Sequence, residues 1–396
     1  MGMNDTPSSE RVHIGIFGKR NAGKSSVINA LTGQELAIVS DVKGTTTDPV
    51  SKAMELLPLG PVVMTDTPGI DDEGMLGSLR VKKSRQVLNK ADMAVLVVDG
   101  TEGMASEDEA LLEQIKKRGI PWIVVFNKSD LGGAALPEGR QYLSVSSVTG
   151  ENIHELKERL ASLMPEENGG RRVVADLLKP SDFVILVVPI DKAAPKGRLI
   201  LPQQQTIRDI LDAGAVAIAV KEDELKHTLG QLGKKPRMVI TDSQVFERAA
   251  ADTPEDIPLT SFSILFARYK GELAPFAEGV KALNHVQEGD RILIAEGCTH
   301  HRQCDDIGTV KLPRWIRQYT GTNPAFCFTS GTEFPEDLSS YRLIIHCGGC
   351  MLNAREMRYR IACAADAGVP ITNYGMAIAY MKGILERSLD GIGWKA

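Results

Sequence analysis

The chain has 396 residues, of which 43% are hydrophobic and 24% charged, a balance typical of globular proteins with two or three domains. Its net charge of −5 argues against nucleic-acid binding, because nucleic-acid-binding proteins usually carry a basic surplus. Its apolar runs are shorter than the roughly 18 residues that span a bilayer, and the polar start MGMNDTPSSERVHIGIFG lacks the order of a signal peptide. We therefore expect a cytoplasmic protein without nucleic-acid or membrane partners, whose six cysteines are metal ligands or buried thiols.

Apolar runs that favour strands alternate with helical stretches along nearly the whole chain. The runs are RVHIGIFG, PVVMTDT, DMAVLVVDG, PWIVVFNK, DFVILVVPI, AVAIAV, RMVITD, RILIAEG, AFCFTS and RLIIHCGG. Strands and helices in alternation form parallel sheets covered by helices, so this order predicts an α/β fold. The low aromatic content of 5% suits aliphatic cores of that kind.

Two polar segments divide the chain into three predicted domains. The first, MPEENGGRR at 164–172, follows the helical stretch NIHELKERLASL and is typical of a linker. The second, ERAAADTPEDIPLTSFS at 247–263, has acidic residues and prolines ahead of a further helix. We therefore predict domains at 1–168, 169–264 and 265–396. The sequence shows no internal repeat.

A glycine-rich loop, GKRNAGKSS, lies between the first predicted strand and the apolar helix SSVINALTG. Two glycines separated by four residues and followed by lysine and serine form a P-loop, whose backbone N–H groups bind phosphates. Lys24 would reach the β- and γ-phosphate oxygens, and the Ser25 hydroxyl is placed for Mg²⁺. The expected nucleotide contacts of the loop are Gly18, Asn21, Ala22, Gly23, Lys24, Ser25 and Ser26.

Two further motifs complete a predicted phosphate and Mg²⁺ site. GTTTD at 44–48 offers a switch threonine, Thr46, as a further ligand of the Mg²⁺. DTPG at 66–69 ends a predicted strand, so that Asp66 can join the metal shell and the Gly69 N–H can turn toward the γ-phosphate. Lys24, Thr46 and Gly69 are therefore the expected catalytic residues.

Two later motifs predict a guanine pocket. NKSD at 127–130 ends another strand, where Asn127 and Asp130 can hydrogen-bond the guanine edge and Lys128 can lie over the ring. The Asp130 carboxylate would select guanine, because it accepts from two N–H donors that adenine does not present. SSVTG at 146–150 would close the pocket through Ser146 and Ser147.

These five motifs, in this order and spacing, resemble those of the translation-factor-related GTPases, in particular Era and the tRNA-modification GTPases, over residues 10–165. The resemblance implies hydrolysis of GTP to GDP and phosphate. Ile70 stands where Ras-like enzymes have a glutamine that orients water, so another group must assist. Asn21 stands where tRNA-modification GTPases bind K⁺, which implies a K⁺-stimulated enzyme in which the cation replaces an arginine finger. A turn-capping role for Asn21 is the alternative.

A second group of chemically active residues lies in the last third of the chain. Cys298 and His300 follow one predicted strand, and His346, Cys347 and Cys350 follow another. Ligands bind at the carboxyl ends of strands in open parallel sheets, and thiolates at the start of a helix are stabilised by its dipole. On this chemistry alone, a closed zinc site is slightly favoured over an iron–sulfur cluster held by three thiolates, because zinc sites of this composition are common.

Cys-x-His, a gap of 45 residues and His-Cys-x-x-Cys, together with the GTPase motifs, resemble the HydF family of [FeFe]-hydrogenase maturation GTPases across essentially the whole chain. The resemblance implies a GTPase domain, a small α/β dimerisation domain and an α/β [4Fe–4S] domain. It implies Cys298, Cys347 and Cys350 as cluster ligands. His300 or His346 could bind the fourth iron, hydrogen-bond a cluster sulfur or support the loop, and Asp305 and Asp306 compete for the place on that iron.

The same resemblance implies a biological role. The protein would be a scaffold and carrier for the two-iron subcluster precursor, which it passes to the apo-hydrogenase. Its expected partners are that hydrogenase, two radical-SAM maturases and a second copy of itself, in a homodimer or a higher oligomer.

Two alternative functions are compatible with the motifs. One is an RNA-directed GTPase of the tRNA-modification type with a zinc site, against which the acidic balance counts. The other is a redox-sensing GTPase whose iron–sulfur cluster reports on iron or oxygen.

Overall fold

The computed structural model describes residues 6–33, 49–68, 75–133, 135–164, 171–190, 199–271, 273–297, 306–331 and 333–394, with the backbone alone at 75–82. The chain divides into two compact units, Met1–Gly169 and Gly170–Ala396. Among the described residues, no helix combines the length and the apolar character needed to cross a membrane.

The first unit contains a six-stranded sheet in the order β2-β3-β1-β4-β5-β6, in which only β2 runs antiparallel to its neighbour. Its strands are β1 (Val12–Phe17), β2 (Val50–Leu56), β3 (Gly60–Asp66), β4 (Met93–Asp99), β5 (Trp122–Asn127) and β6 (Tyr142–Ser144). Its helices are α1 (Lys24–Thr32), α2 (Met75–Lys90), α3 (Ser106–Lys117) and α4 (Ile153–Ser162).

The central strand β4 shows why the strands of this sheet appear in the sequence as continuous apolar runs. Successive side chains of a strand point to opposite faces, and helices cover both faces of this sheet. Met93, Val95 and Val97 pack with residues of α1 and α4, whereas Ala94 and Leu96 pack on the other face with residues of α2 and α3. Burial on both faces requires apolar residues at every position.

The second unit contains two parallel sheets of four strands each. The strands of the first sheet are β7 (Phe183–Val187), β8 (Val216–Val220), β9 (Met238–Thr241) and β10 (Leu259–Ser261), in the order β10-β9-β7-β8. The strands of the second sheet are β11 (Arg291–Ala295), β12 (Ala325–Thr329), β13 (Leu343–His346) and β14 (Ile371–Asn373), in the order β12-β11-β13-β14.

The two sheets repeat one topology. In each, the first strand along the chain lies between the second and the third, and the fourth lies outside the third. The expectation that the chain has no internal repeat therefore holds for the sequence but not for the strand order. A common strand order needs only the same pattern of buried strands and crossovers, so it can recur without visible sequence similarity.

Helices cover both sheets of the second unit, and one continuous apolar core joins them. The helices are α5 (Leu201–Asp212), α6 (Leu225–Gln231), α7 (Phe246–Asp252), α8 (Phe262–Lys270), α9 (Leu273–Gly279), α10 (Leu312–Thr320), α11 (Ala354–Asp366), α12 (Tyr374–Met381) and α13 (Leu385–Asp390). The boundary predicted between 264 and 265 falls within α8.

The helices α8 and α12 both follow the fourth strand of their sheet, and their first turns meet. Ser261 caps α8 by accepting the N–H of Ile264, and Asn373 caps α12 in the same way. A Cβ atom at Gly375 would lie 2.7 Å from the Cβ of Ser263, so this contact needs glycine. The carboxyl edges of the two sheets therefore come together at the start of these helices.

Candidate nucleotide and thiol sites

The predicted P-loop connects β1 to α1, which begins at Lys24. Gly18 and Gly23 have φ values of 141° and 90°, which non-glycine residues rarely adopt. A Cβ atom would lie 2.1 Å from the carbonyl oxygen of Val97 at Gly18, and 2.2 Å from Nδ2 of Asn127 at Gly23. The two glycines thus allow the loop to pass against β4 and β5, as a phosphate-binding loop requires.

The Lys24 side chain holds the P-loop through hydrogen bonds to its backbone. This side chain is buried, and Nζ donates to the carbonyl oxygens of Gly18 at 3.0 Å and Lys19 at 2.7 Å. The ammonium therefore lies inside the curve of the loop, where it can meet phosphate oxygens. Asn21, the predicted potassium ligand, is exposed on the same loop with a left-handed φ of 63°. Ser26 is exposed in the first turn of α1.

Ser25 and Asp66 form an oxygen-rich pair at the ends of the loop and of β3. The Ser25 hydroxyl donates to Oδ2 of Asp66 at 2.7 Å. Oδ1 of Asp66 is buried and has no hydrogen-bond partner among the described residues. Burial raises the pKa of Asp66, whereas the Ser25 hydroxyl and the Lys24 charge oppose that rise. A buried carboxylate oxygen without a partner next to a hydroxyl suits a divalent cation such as Mg²⁺.

The predicted guanine pocket comes together from the end of β5 and the loop 146–150. Asn127 donates to the carbonyl oxygen of Ala22 at 3.2 Å and accepts the N–H of Ser147 at 3.1 Å. The Ser146 hydroxyl donates to Oδ1 of Asp130 at 2.6 Å. Asn127 therefore joins the P-loop to the base pocket, and the serine loop orients Asp130.

The last predicted base contact, Lys128, pairs with Asp99 at the end of the neighbouring strand β4. This places its charged end beside the pocket formed by Asn127 and Asp130. Three residues named for the phosphate end, Thr46, Gly69 and Ile70, lie outside the described residues.

The cysteines of the second site lie in the loop between β13 and α11. The N–H of Cys347 donates to the carbonyl oxygen of Ala295 at 2.9 Å, which fixes this loop to the end of β11. Sγ of Cys347 accepts the N–H groups of Gly297 at 3.0 Å and Gly349 at 3.4 Å. Backbone N–H donors at a sulfur stabilise the thiolate form, which is the form that binds a metal or a cluster.

Cys350 lies three residues further along the same loop. Burial, and to a smaller extent the neighbouring Cys347, raises the pKa of the Cys350 thiol to about 11. A metal that binds this sulfur must therefore displace a proton at neutral pH. Cys298 and His300 lie outside the described residues, and within the described part of the chain no three metal-binding side chains converge.

His346 is fully buried, and both of its ring nitrogens contact protein atoms. Nε2 lies 2.9 Å from Nη1 of Arg360, and Nδ1 lies 2.8 Å from the carbonyl oxygen of Cys347. Because a guanidinium only donates, Nε2 must accept, which assigns the hydrogen of a neutral ring to Nδ1. In this arrangement the ring supports the cysteine loop through the carbonyl of Cys347.

A buried ion pair on α11 completes this support. Nε of Arg360 lies 3.0 Å from Oε1 of Glu356, and Nη2 donates to the carbonyl oxygen of Gly331 at 2.9 Å. The sequence analysis missed both residues. Their spacing of four along a predicted helix signals an ion pair, but it does not reveal that the pair is buried or that it reaches His346.

Three family models match successive parts of the chain. They are the 50S ribosome-binding GTPase over residues 13–128, the hydrogen maturase F dimerization domain over residues 173–271 and the hydrogen maturase F tetramerization domain over residues 274–391. The last two together cover more than half of the chain, and both belong to one protein family.

Individual relatives match part of the chain. The tRNA modification GTPase MnmE of Chromobacterium violaceum is 34% identical over 160 residues, which are 39% of this chain and 35% of that protein. The GTPase Der of Wolinella succinogenes is 36% identical over 192 residues, which are 44% of this chain and 40% of that protein. The chain thus spans about a third to two fifths of the length of these relatives.

A solved structure gives a similar match. The crystal structure of a variant of Aquifex aeolicus Era bound to GDP·AlF₄⁻ is 24% identical, with a TM-score of 0.35, and the match covers 53% of this chain and 92% of that one.

Proposed function

Because the chain belongs to the hydrogen maturase F (HydF) family, we propose that it is a GTP-hydrolysing scaffold for maturation of [FeFe]-hydrogenase. The observation that carries the proposal is the match of both hydrogen maturase F domain models to residues 173–391 behind a GTPase domain. We propose that the chain receives a two-iron precursor as cargo, with radical-SAM maturases as its source and the apo-hydrogenase as its destination.

The geometry of the first unit supports GTP as the nucleotide. Asn127 and Asp130 are held at the end of β5 by Ala22 and Ser146, so that they can bind the guanine edge. Lys24 sits inside the loop that would surround the β- and γ-phosphates. Ser25 and Asp66 would hold Mg²⁺, which would neutralise charge that develops on the phosphates. We propose Thr46 as a further ligand of the Mg²⁺, Gly69 as a contact of the γ-phosphate, and K⁺ at Asn21 as the cation that assists hydrolysis.

We propose that the second unit binds a [4Fe–4S] cluster through three thiolates, Cys298, Cys347 and Cys350. The N–H groups of Gly297 and Gly349 that reach Sγ of Cys347 fit this donor set, because such donors stabilise thiolate ligands. A cluster of this kind supplies an iron with an exchangeable ligand. We propose His300 as the candidate for that position, and we assign His346 to support of the loop, because both its nitrogens are engaged.

Both oligomerisation models match, so we propose that the working form contains two or four copies. The two sites lie in different units of one chain. This arrangement supports a carrier in which nucleotide binding and cargo binding are separate events.

Anaerobic reconstitution with iron and sulfide tests the proposal. The wild-type protein should take up a [4Fe–4S] cluster and activate apo-hydrogenase, whereas Cys298→Ser, Cys347→Ser and Cys350→Ser should each lose both properties. Cys363→Ser, which changes a cysteine of α11 away from the loop, is the matched control and should keep both.

A colourless protein that holds zinc alone would contradict the cluster. A protein that loads a cluster but does not activate the hydrogenase would contradict the scaffold role and favour the redox-sensing alternative.

A further inference from the structure

The last residue of α8, Lys270, is buried against the cysteine loop. Its side chain is only 2% exposed. Nζ lies 2.9 Å from the carbonyl oxygen of Gly349, 2.8 Å from that of Cys350 and 2.6 Å from that of Leu352. An ammonium has three N–H donors, and this loop supplies three acceptors. Lys270 precedes these three residues by 79–82 positions in the sequence, so only folding brings them into contact.

A buried ammonium is costly unless its hydrogen bonds are satisfied, so this arrangement constrains the loop strongly. In a trans peptide the N–H points opposite to the carbonyl of the preceding residue. Carbonyl groups of Gly349 and Cys350 that turn toward Lys270 therefore leave the N–H groups of Cys350 and Met351 facing the other way.

The three carbonyl oxygens that Nζ contacts belong to residues at and beside Cys350, so the positive charge of Lys270 lies beside the thiol loop. A positive charge in a buried place stabilises a negative group near it.

The start of α8 also lies against this loop. A Cβ atom at Gly348 would lie 3.5 Å from Oγ of Ser263, in the first turn of the helix. Both ends of α8 therefore lie against the loop, with Ser263 beside Gly348 and Lys270 beside Cys350. This helix lies within residues 173–271, which match the dimerization domain, whereas the loop lies within residues 274–391.

We propose that Lys270 is a positioning residue of the thiol site, which holds the loop 347–352 so that its N–H groups face the sulfurs and places a positive charge beside them. The effect of the Lys270 charge on a cluster rests on the proposed [4Fe–4S] function. The effect of Lys270 on the conformation of the loop does not depend on any metal. The dimerization domain would then have a second task, since it carries a helix that builds the thiol site.

Three variants test the proposal in the full chain. Lys270→Met removes the charge and the donors, Lys270→Gln removes the charge but keeps donors, and Lys270→Arg keeps both. Lys281→Met is the control, because Lys281 is exposed and pairs with Glu278.

In the metal-free protein, hydrogen exchange of the peptide containing 347–352 should be at least threefold faster in Lys270→Met than in wild type. Lys281→Met should leave it unchanged. Unchanged exchange in Lys270→Met would overturn the positioning role. Hydrogen exchange tests the positioning role even in a protein that takes up no cluster. Failure of the wild-type protein to take up a cluster would refute the proposed function and not the positioning role.

In reconstituted protein, a positive charge near a cluster favours its reduced, more negative form. At the wild-type midpoint potential, the reduced-to-oxidised ratio should fall at least threefold in Lys270→Met and Lys270→Gln, and should recover in Lys270→Arg. A wild-type potential in the two neutral variants would overturn the electronic role. If neither neutral variant folds, the proposal also fails, because Lys270 is then a general structural residue.

Discussion

Replacing Arg360 by methionine should destabilise the second unit by about 3–5 kcal/mol, because it leaves a buried carboxylate without its partner. Arg360 is fully buried and Glu356 is 2% exposed, and their atoms Nε and Oε1 lie 3.0 Å apart. Oε2 of Glu356 has no hydrogen-bond partner among the described residues, so the carboxylate depends on Arg360. Methionine keeps much of the aliphatic length and provides no donor.

Two further hydrogen bonds disappear in this variant, those to Nε2 of His346 and to the carbonyl oxygen of Gly331. Each acceptor left unsatisfied costs about 1–3 kcal/mol, but contributions in one network do not add. Replacing both members of the pair, as in Arg360→Met with Glu356→Met, removes the uncompensated charge. This double variant should therefore be more stable than Arg360→Met by about 1–3 kcal/mol.

Urea unfolding followed by tryptophan fluorescence measures these differences. Of the three tryptophans, Trp122 lies in the first unit and Trp315 and Trp394 lie in the second, so a Trp122→Phe background reports on the second unit alone. Protein concentration must be held fixed, because oligomerisation shifts apparent stability.

The matched control is Arg358→Met, an exposed arginine of the same helix, with an expected change within about 0.5 kcal/mol. A loss below about 1 kcal/mol in Arg360→Met would refute the buried-charge reasoning. A double variant as unstable as the single one would refute it equally.

Three further predictions concern the two sites. Lys24→Ala should lower the rate of GTP hydrolysis by about 100-fold or more and leave the iron content of reconstituted protein unchanged; a large loss of iron would show that the sites depend on each other. Hydrolysis should be faster in K⁺ than in Na⁺, and Asn21→Ala should remove the difference; equal wild-type rates in both salts would remove the argument for potassium. His346→Ala should keep a cluster with a shifted EPR signal, because the ring supports the loop; complete loss of iron would make His346 essential for cluster binding.

The ten predicted strands are all present. Most are buried in a parallel sheet, which requires apolar runs that can be read directly, whereas β8 and β12 are apolar edge strands with half-buried or exposed residues. Within the described part of the chain, four strands were missed. β6, β10 and β14 have three residues each, too few for a periodic pattern, and pairing with a longer neighbour defines them. β2 is an edge strand with mostly exposed residues, so SKAMEL has no apolar run to detect.

The candidate sites likewise contain residues that a short sequence segment reveals and residues that only long-range contacts reveal. The P-loop could be predicted because one short segment supplies its glycines, its lysine and its serine. Lys270 could not, because its acceptors are 79–82 residues away and nothing in FSILFARYK separates it from a surface lysine at a helix end. Residues that support a ligand-binding loop from another element become visible only once the chain has folded.

The repeated topology of the second unit explains why a helix that follows the first sheet supports the thiol loop of the second sheet. In both sheets the chain leaves the third strand at the carboxyl edge, with Asp242 after β9 and Cys347 after β13, so the two edges are equivalent places for a ligand. At the first edge, however, Oγ of Ser243 and Oγ of Ser261 lie close enough to meet a Cβ placed at Gly375, in the first turn of α12. Gly375 of the neighbouring half thus packs against this edge. α8 leaves the first sheet from this same edge, and its last residue, Lys270, reaches the thiol loop at the equivalent edge of the second sheet.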